Sequence, residues 1–147
     1  MAGEFGVSIA WPAGHGVMVR RLVEIADRAL AIQDEADAAV RACGIRGVVS
    51  SEVALRLGAM LRLYSRLHYE VEGLETELDP ELGAACRDLL ELLSYHLHML
   101  HDAGDLVFSP RRVPRNERFR LELGEGLGPR AEDLARLRDR LFWAQFD

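Results

Sequence analysis

Three stretches of the chain carry apolar residues at alternating spacings of three and four, and this feature constrains the fold more than any other. The first runs from about Met18 to Cys43, the second from about Ser51 to Glu75, and the third from Asp79 to Gly104. Such spacing is typical of amphipathic α-helices that bury one face. The sequence therefore predicts that the chain is mainly α-helical.

Residues with strong helix-end preferences mark the boundaries of these stretches. Gly44 is placed to end the first helix as a left-handed C-cap residue. Ser50 or Ser51 can cap the second helix. Asp79 followed by Pro80 is a typical start for the third, and Gly104 is predicted to end it. The connection between the second and third helices is short, so these two should be antiparallel neighbours.

The periodicity changes after Gly104. Leu106–Phe108 is a short apolar run, and Phe119–Leu123 alternates apolar and charged residues as a half-buried strand does. Turn-forming residues lie between them, which favours a β-hairpin over about 106–123. Pro129 then opens a last helix with inward-facing leucines.

The predicted fold is therefore mainly α: an antiparallel bundle of about four helices with one β-hairpin before the C-terminal helix. A chain of 147 residues suits one compact domain. Residues 1–16, rich in glycine, are predicted to form an irregular N-terminal arm, and residues 17–147 to form the single helical domain.

Composition restricts the possible functions. The chain has 24 acidic residues against 18 arginines and no lysine, a net charge of −6, which argues against broad, non-specific binding to nucleic acid. No apolar run approaches the roughly 18–20 residues of a membrane span, and Met1–Gly16 lacks the pattern of a secretory signal. We therefore expect a cytoplasmic protein without membrane partners.

Catalytic and cofactor motifs are not apparent in the sequence. No nucleophile–base pairing and no phosphate-cradling or hydrolytic motif stands out, so we expect a protein that is not an enzyme and needs no cofactor. His98 and His101 share one helix face, and Glu52 is the nearest carboxylate expected opposite them. These three residues are the candidates for a metal- or small-ligand-binding bundle, which stays open as an alternative function.

A run of residues late in the chain suggests another alternative. Ser94–Leu97 reads Ser-Tyr-His-Leu, and it is followed by Ala103-Gly104, by Leu106-Val107 and by a basic segment. Over Ser94–Leu123 this order resembles winged helix-turn-helix regulators of the ArsR-like kind. The resemblance implies a DNA-binding repressor in which Arg111, Arg112, Arg115 and Arg118 contact phosphates and Tyr95 and His98 lie nearest to the bases.

Acidic residues disfavour that alternative. Asp88, Glu91 and Asp102 occupy the face that would read the bases, where phosphates would repel them. A helix-turn-helix also requires a break near Arg87-Asp88, whereas one unbroken helix over residues 79–103 would exclude it.

Two apolar surfaces favour a third kind of function, self-association. The alanine-rich seam of the first helix suits close pairing with a partner helix. The aromatic cluster at the C-terminus either closes the core or docks on another chain. The residues expected at a partner or homo-oligomer interface are Leu22, Ile25, Ala29, Phe142, Trp143 and Phe146. The favoured function is thus a non-catalytic, cytoplasmic interaction or regulatory protein that associates with itself.

Overall fold

The computed structural model describes residues 15–44, 50–74, 80–108, 118 and 121–146. Its α-helices, numbered in chain order, are α1 (His15–Ala31), α2 (Gln33–Cys43), α3 (Ser51–Leu74), α4 (Pro80–Phe108) and α5 (Glu132–Ala144). A short 3-10 helix, Pro129–Ala131, leads into α5. The predicted helical bundle is confirmed. None of the described helices has the length and apolarity that crossing a membrane requires.

Side-chain contacts show that α3 and α4 are antiparallel. His68 Nε2 lies 3.1 Å from Ser94 Oγ, and the Tyr64 ring stacks on His96 with 5.0 Å between ring centroids. Residue numbers thus fall along α3 as they rise along α4, which is the arrangement that the short connection predicts.

Helix α1 is antiparallel to α3 and to α5. Towards α3, the Tyr64 hydroxyl donates to the Ala29 carbonyl at 2.9 Å, and Arg21 Nη2 donates to Glu70 Oε1 at 3.0 Å. Towards α5, Arg138 Nε donates to Asp27 Oδ1 at 2.6 Å. Further along the chain from Asp27, Gln33 donates to the Ala131 carbonyl at 3.0 Å. The C-terminal end of α5 therefore lies at the same end of the bundle as the start of α1.

The interior is built from the apolar stripes that the periodicity predicts. Each helix contributes leucine, isoleucine, valine or alanine side chains to one continuous core. Fully buried members include Leu22, Ile25, Leu89, Leu93 and Leu134. Burial of each such side chain stabilises the fold by about 1.5–3 kcal/mol.

The predicted β-hairpin over residues 106–123 is wrong. Helix α4 continues through Leu106–Phe108, and residues 121–123 form a helical turn. No strand occurs in the described residues, although 109–117, 119 and 120 lie outside them. Leu106 is buried three residues after buried Ala103, so the apolar run extends the helical stripe. An apolar run of three residues fits a helix as well as a strand, which is why the sequence misled.

Several predicted helix boundaries also need correction. Gly104 does not end α4, and Gly44 ends α2 with a right-handed φ of −81°, not as a left-handed cap. The predicted single helix over 18–43 is broken at Ile32 into α1 and α2. The Ala36 N–H still donates to the Ile32 carbonyl at 3.0 Å, as it would in a continuous helix. The apolar spacing therefore continues across the break, and the sequence does not indicate where the break lies.

Other boundaries agree with the sequence. Ser50 Oγ accepts from the Val53 N–H at 3.2 Å and so caps α3, and α4 begins at Pro80. Helix α4 passes through Arg87 and Asp88 without interruption. The break near Arg87-Asp88 that the predicted helix-turn-helix needs is therefore not seen in α4. The predicted arm of residues 1–16 falls outside the described residues except for 15 and 16, which belong to α1.

Candidate functional site

The last two turns of the described chain carry three aromatic side chains in mutual contact, which we call the aromatic patch: Phe142, Trp143 and Phe146. Ring centroids lie 5.3 Å apart for Phe142–Trp143, 5.2 Å for Phe142–Phe146 and 6.1 Å for Trp143–Phe146. Trp143 is 64% exposed and Phe146 68%. Phe142 is half-buried against the core. Phe142 therefore packs against the core, whereas Trp143 and Phe146 face outward.

The helical repeat of α5 determines which aromatic faces outward. Leu134, Leu137 and Leu141 point into the bundle, and at 100° per residue Trp143 falls on the opposite side of the helix. Arg138 fixes the base of the patch, because its guanidinium lies 4.5 Å from the Phe142 ring centroid while it binds Asp27 of α1. Such a cation–π contact holds the Phe142 ring in place.

Charges of opposite sign lie on the two sides of α5 beside the patch. Asp139, 65% exposed, is on the α1 side, next to Arg138 at 3.3 Å. Arg140, 68% exposed, is on the α4 side, where Nη2 lies 3.2 Å from Asp88 Oδ2. Exposed ion pairs of this kind contribute little stability and are readily exchanged for others.

The three interface candidates of the first helix lie elsewhere. Leu22, Ile25 and Ala29 are each 0% exposed and pack inside the chain's own bundle. Their close spacing serves the contacts of α1 with its neighbouring helices, so in this fold the seam is part of the core and not a free surface.

A buried polar network lies where α1 gives way to α2. His96 is fully buried; its Nδ1 donates to the Leu92 carbonyl at 2.7 Å, and its Nε2 accepts from the Gln33 amide at 2.9 Å. The other amide hydrogen of Gln33 donates to the Ala131 carbonyl. Burial lowers the pKa of His96, against the opposing effect of its bond to Leu92. The imidazole is therefore neutral, and both of its nitrogens are hydrogen-bonded within the chain.

Two tyrosines enclose this network. The Tyr64 ring stacks on His96, and the Tyr95 ring meets it edge-on at 6.0 Å. Burial raises the pKa of both phenols. The Tyr64 hydroxyl donates to the Ala29 carbonyl and so joins α3 to α1. The Tyr95 hydroxyl donates to the Leu127 carbonyl and so joins α4 to the turn before α5.

A cavity of about 430 Å³ opens beside the network, between α2 and residues 125–132. Asp37 Oδ1 accepts from the Leu127 N–H at 2.8 Å, and Arg41 binds Asp37 at 2.7 Å and the Gly124 carbonyl at 3.2 Å. A second cavity of similar size lies between α4 and α5. Most of the residues that line it are arginines and acids, several of which pair with one another. At the first cavity the bonds of Asp37 and Arg41 hold residues 124–127 against α2, whereas the exposed ion pairs at the second contribute little stability.

The metal-ligand candidates are not brought together. His98 pairs with Asp102 at 3.0 Å, and His101 with Asp105 at 3.5 Å, both along the exposed side of α4. Glu52 instead pairs with Arg56 on α3 at 3.2 Å. Within the ranges that the structure describes, no three His, Cys, Asp or Glu side chains are grouped to hold a metal ion.

The nucleic-acid candidates have mixed positions. Tyr95 is turned towards Leu127 and the bundle, whereas His98 is 73% exposed. Arg118 is exposed. The other predicted phosphate contacts, Arg111, Arg112 and Arg115, lie outside the described residues.

Sequence reasoning missed the charged residues beside the aromatic patch. Arg138 and the pair Asp139–Arg140 follow the alternation of sign along α5, a charge pattern typical of an exposed helix face. Gln33 was missed as well, since its importance depends on the break at Ile32, which the apolar spacing conceals.

Comparisons of the chain with protein-family models, with curated proteins and with solved structures gave no match.

Proposed function

We propose that the protein is a non-catalytic, cytoplasmic interaction protein that associates with a second copy of itself through the aromatic patch on α5. The observation that carries the proposal is the joint exposure of Trp143 and Phe146, whose rings touch each other on the outside of the bundle. Contiguous exposed aromatic surface is typical of protein–protein contact sites, where tryptophan is among the residues that contribute most binding energy.

The patch differs from the single exposed hydrophobic residues on α3. Leu55 and Tyr69, two further exposed hydrophobic residues, are fourteen residues apart on α3, which corresponds to about 21 Å along the helix. Single exposed side chains of that kind are common and need no partner. Trp143 and Phe146, by contrast, form one surface with half-buried Phe142 beneath it.

The buried polar groups support a non-catalytic role. His96, Gln33, Tyr64 and Tyr95 all direct their polar atoms to groups of the same chain. Because these atoms already have partners inside the fold, they act as structural connections between α1, α4 and the turn before α5.

Sedimentation equilibrium of the full chain over about 1–100 µM tests the proposal. We expect the mean mass to rise with concentration towards twice that of the chain. Trp143→Ala should weaken the association by roughly 30-fold, as truncation of a central aromatic residue does at other interfaces.

Tyr69→Ala is the matched control, because Tyr69 is 76% exposed on α3, a helix that does not pack against α5. This variant should associate as the unsubstituted chain does. A chain that stays monomeric throughout, or a Trp143→Ala variant that associates as well as Tyr69→Ala, contradicts the proposed function.

A further inference from the structure

We infer that the second copy binds with its α5 parallel to the first, around a two-fold axis that runs alongside the two helices, and that Asp139 of each copy pairs with Arg140 of the other. This inference rests on the proposed function and specifies the geometry of the same surface. It follows from the order of charges around α5.

The exposed face of α5 has opposite charges on opposite sides. Viewed down the helix, Asp139 lies about 40° to one side of Trp143 and Arg140 about 60° to the other. The contacts within the chain agree, since Asp139 is on the α1 side and Arg140 on the α4 side. Both side chains are about two-thirds exposed and so are available to a partner.

A parallel two-fold arrangement places unlike charges together. Rotation about an axis along α5 brings the α1 side of one copy against the α4 side of the other. Asp139 of one copy then faces Arg140 of the second, and symmetry repeats the pair on the other side of the axis. Viewed down the two-fold axis, Trp143 lies between the two pairs, about one turn further along α5, and faces Trp143 of the second copy.

An antiparallel two-fold arrangement has the opposite effect. With the axis perpendicular to α5, each side of the helix meets the same side of the second copy. Asp139 would then face Asp139, and Arg140 would face Arg140. Like charges in contact across an interface oppose association, so the charge order favours the parallel arrangement.

Reversal of either charge tests this geometry. Asp139→Arg leaves both copies with two positive residues at the contact, and Arg140→Asp leaves both with two negative ones. Each single variant should dimerise roughly tenfold more weakly than the unsubstituted chain, because two symmetric pairs change from attraction to repulsion. The double variant Asp139→Arg/Arg140→Asp should recover the original affinity to within about threefold.

A mixture of the two single variants tests whether both residues lie at the contact, and the weakening by each single variant is what distinguishes the parallel from the antiparallel arrangement. In the mixed dimer each Arg faces an Asp, so an equimolar mixture should associate more tightly than either variant alone. Arg136→Asp is the matched control for Arg140→Asp. Arg136 lies nearly in line with Trp143, within about 20°, and therefore faces its own counterpart whether it is positive or negative.

The outcomes separate this inference from the proposed function. Dimerisation that requires Trp143 but is unchanged by Asp139→Arg and by Arg140→Asp overturns the parallel geometry and leaves self-association standing. Equal weakening by Arg136→Asp and Arg140→Asp overturns it too, since total charge alone would then explain the effect. A chain that never dimerises overturns both proposals.

Discussion

At the scale of single residues, the most constrained side chain is a histidine without solvent contact. His96 donates from one ring nitrogen to Leu92 and accepts on the other from Gln33, and the same Gln33 amide reaches Ala131. One buried imidazole thus connects α4, the start of α2 and the turn before α5. The link to Gln33, which lies 63 positions away along the chain, could not be predicted from the sequence.

Stability should therefore depend on the protonation of His96. Burial lowers its pKa below the ordinary value of 6.5 that it has in the unfolded chain. The unfolded chain then binds the proton more readily, so the contribution of neutral His96 is complete above pH 6.5 and is lost as the pH falls below it. The loss approaches about 1.4 kcal/mol per pH unit.

Urea unfolding followed by circular dichroism at pH 7.5 and 5.5 measures this effect. His96→Gln is the reference, because the other titrating groups cancel when the two proteins are compared. The free energy of unfolding of the original chain should exceed that of His96→Gln by more at pH 7.5 than at pH 5.5. A difference that is the same at both pH values would show that His96 does not titrate on unfolding in this range.

A second residue-scale prediction concerns Gly126. Its φ is +75°, and a Cβ there would lie far inside contact distance of Asp37, whose carboxylate accepts from Leu127. Gly126→Ala should destabilise the fold by roughly 2–4 kcal/mol, the sum of the left-handed backbone cost and a weakened hydrogen bond to a charged group.

Gly73→Ala is the control for Gly126→Ala, measured by the same urea unfolding. Gly73 is helical, and a Cβ added to it would meet no atom within 4 Å, so alanine there should be neutral or slightly stabilising. If both variants lose similar stability, the tight approach of the turn to Asp37 is not the cause.

At the scale of the elements, the apolar spacing was sufficient to locate the main helices but not to predict where each helix ends. The stripes through Leu57, Leu67, Leu89 and Leu93 are buried as predicted. Gly104 was interpreted as a stop because glycine favours left-handed caps, yet the buried neighbours Ala103 and Leu106 keep the stripe and the helix going. Tertiary burial therefore outweighs the local preference of the glycine.

The substitution Gly104→Ala distinguishes the two interpretations of α4. Within a continuous helix, with no atom within 4 Å of the added Cβ, alanine should stabilise the fold by about 0.5–1 kcal/mol. At a left-handed cap the same change would destabilise it. Thermal unfolding should therefore show a higher Tm, and a lower Tm would mean that the helix ends at this position.

At the scale of the whole molecule, the sequence predicted a helical bundle and an aromatic C-terminus but left open whether those rings face inward or outward. That choice depends on the phase of α5, in which the burial of Leu134, Leu137 and Leu141 turns Trp143 outward. Likewise, no local pattern shows that Leu22, Ile25 and Ala29 are buried in the chain's own core, where a partner chain cannot reach them. Of the six residues predicted at a self-association interface, Trp143 and Phe146 are the two that are exposed. The prediction of self-association therefore depends on these two residues.

The emission of Trp143 tests this account most directly. The chain has two tryptophans, so Trp11→Phe leaves Trp143 as the sole indole. Because partner contact removes Trp143 from water, its emission should shift to shorter wavelength, and its quenching by acrylamide should fall, as the concentration rises through the dimerisation range. An emission spectrum that stays red at every concentration would contradict the account. So would one that is blue even at the highest dilution, since the chain itself would then cover the patch.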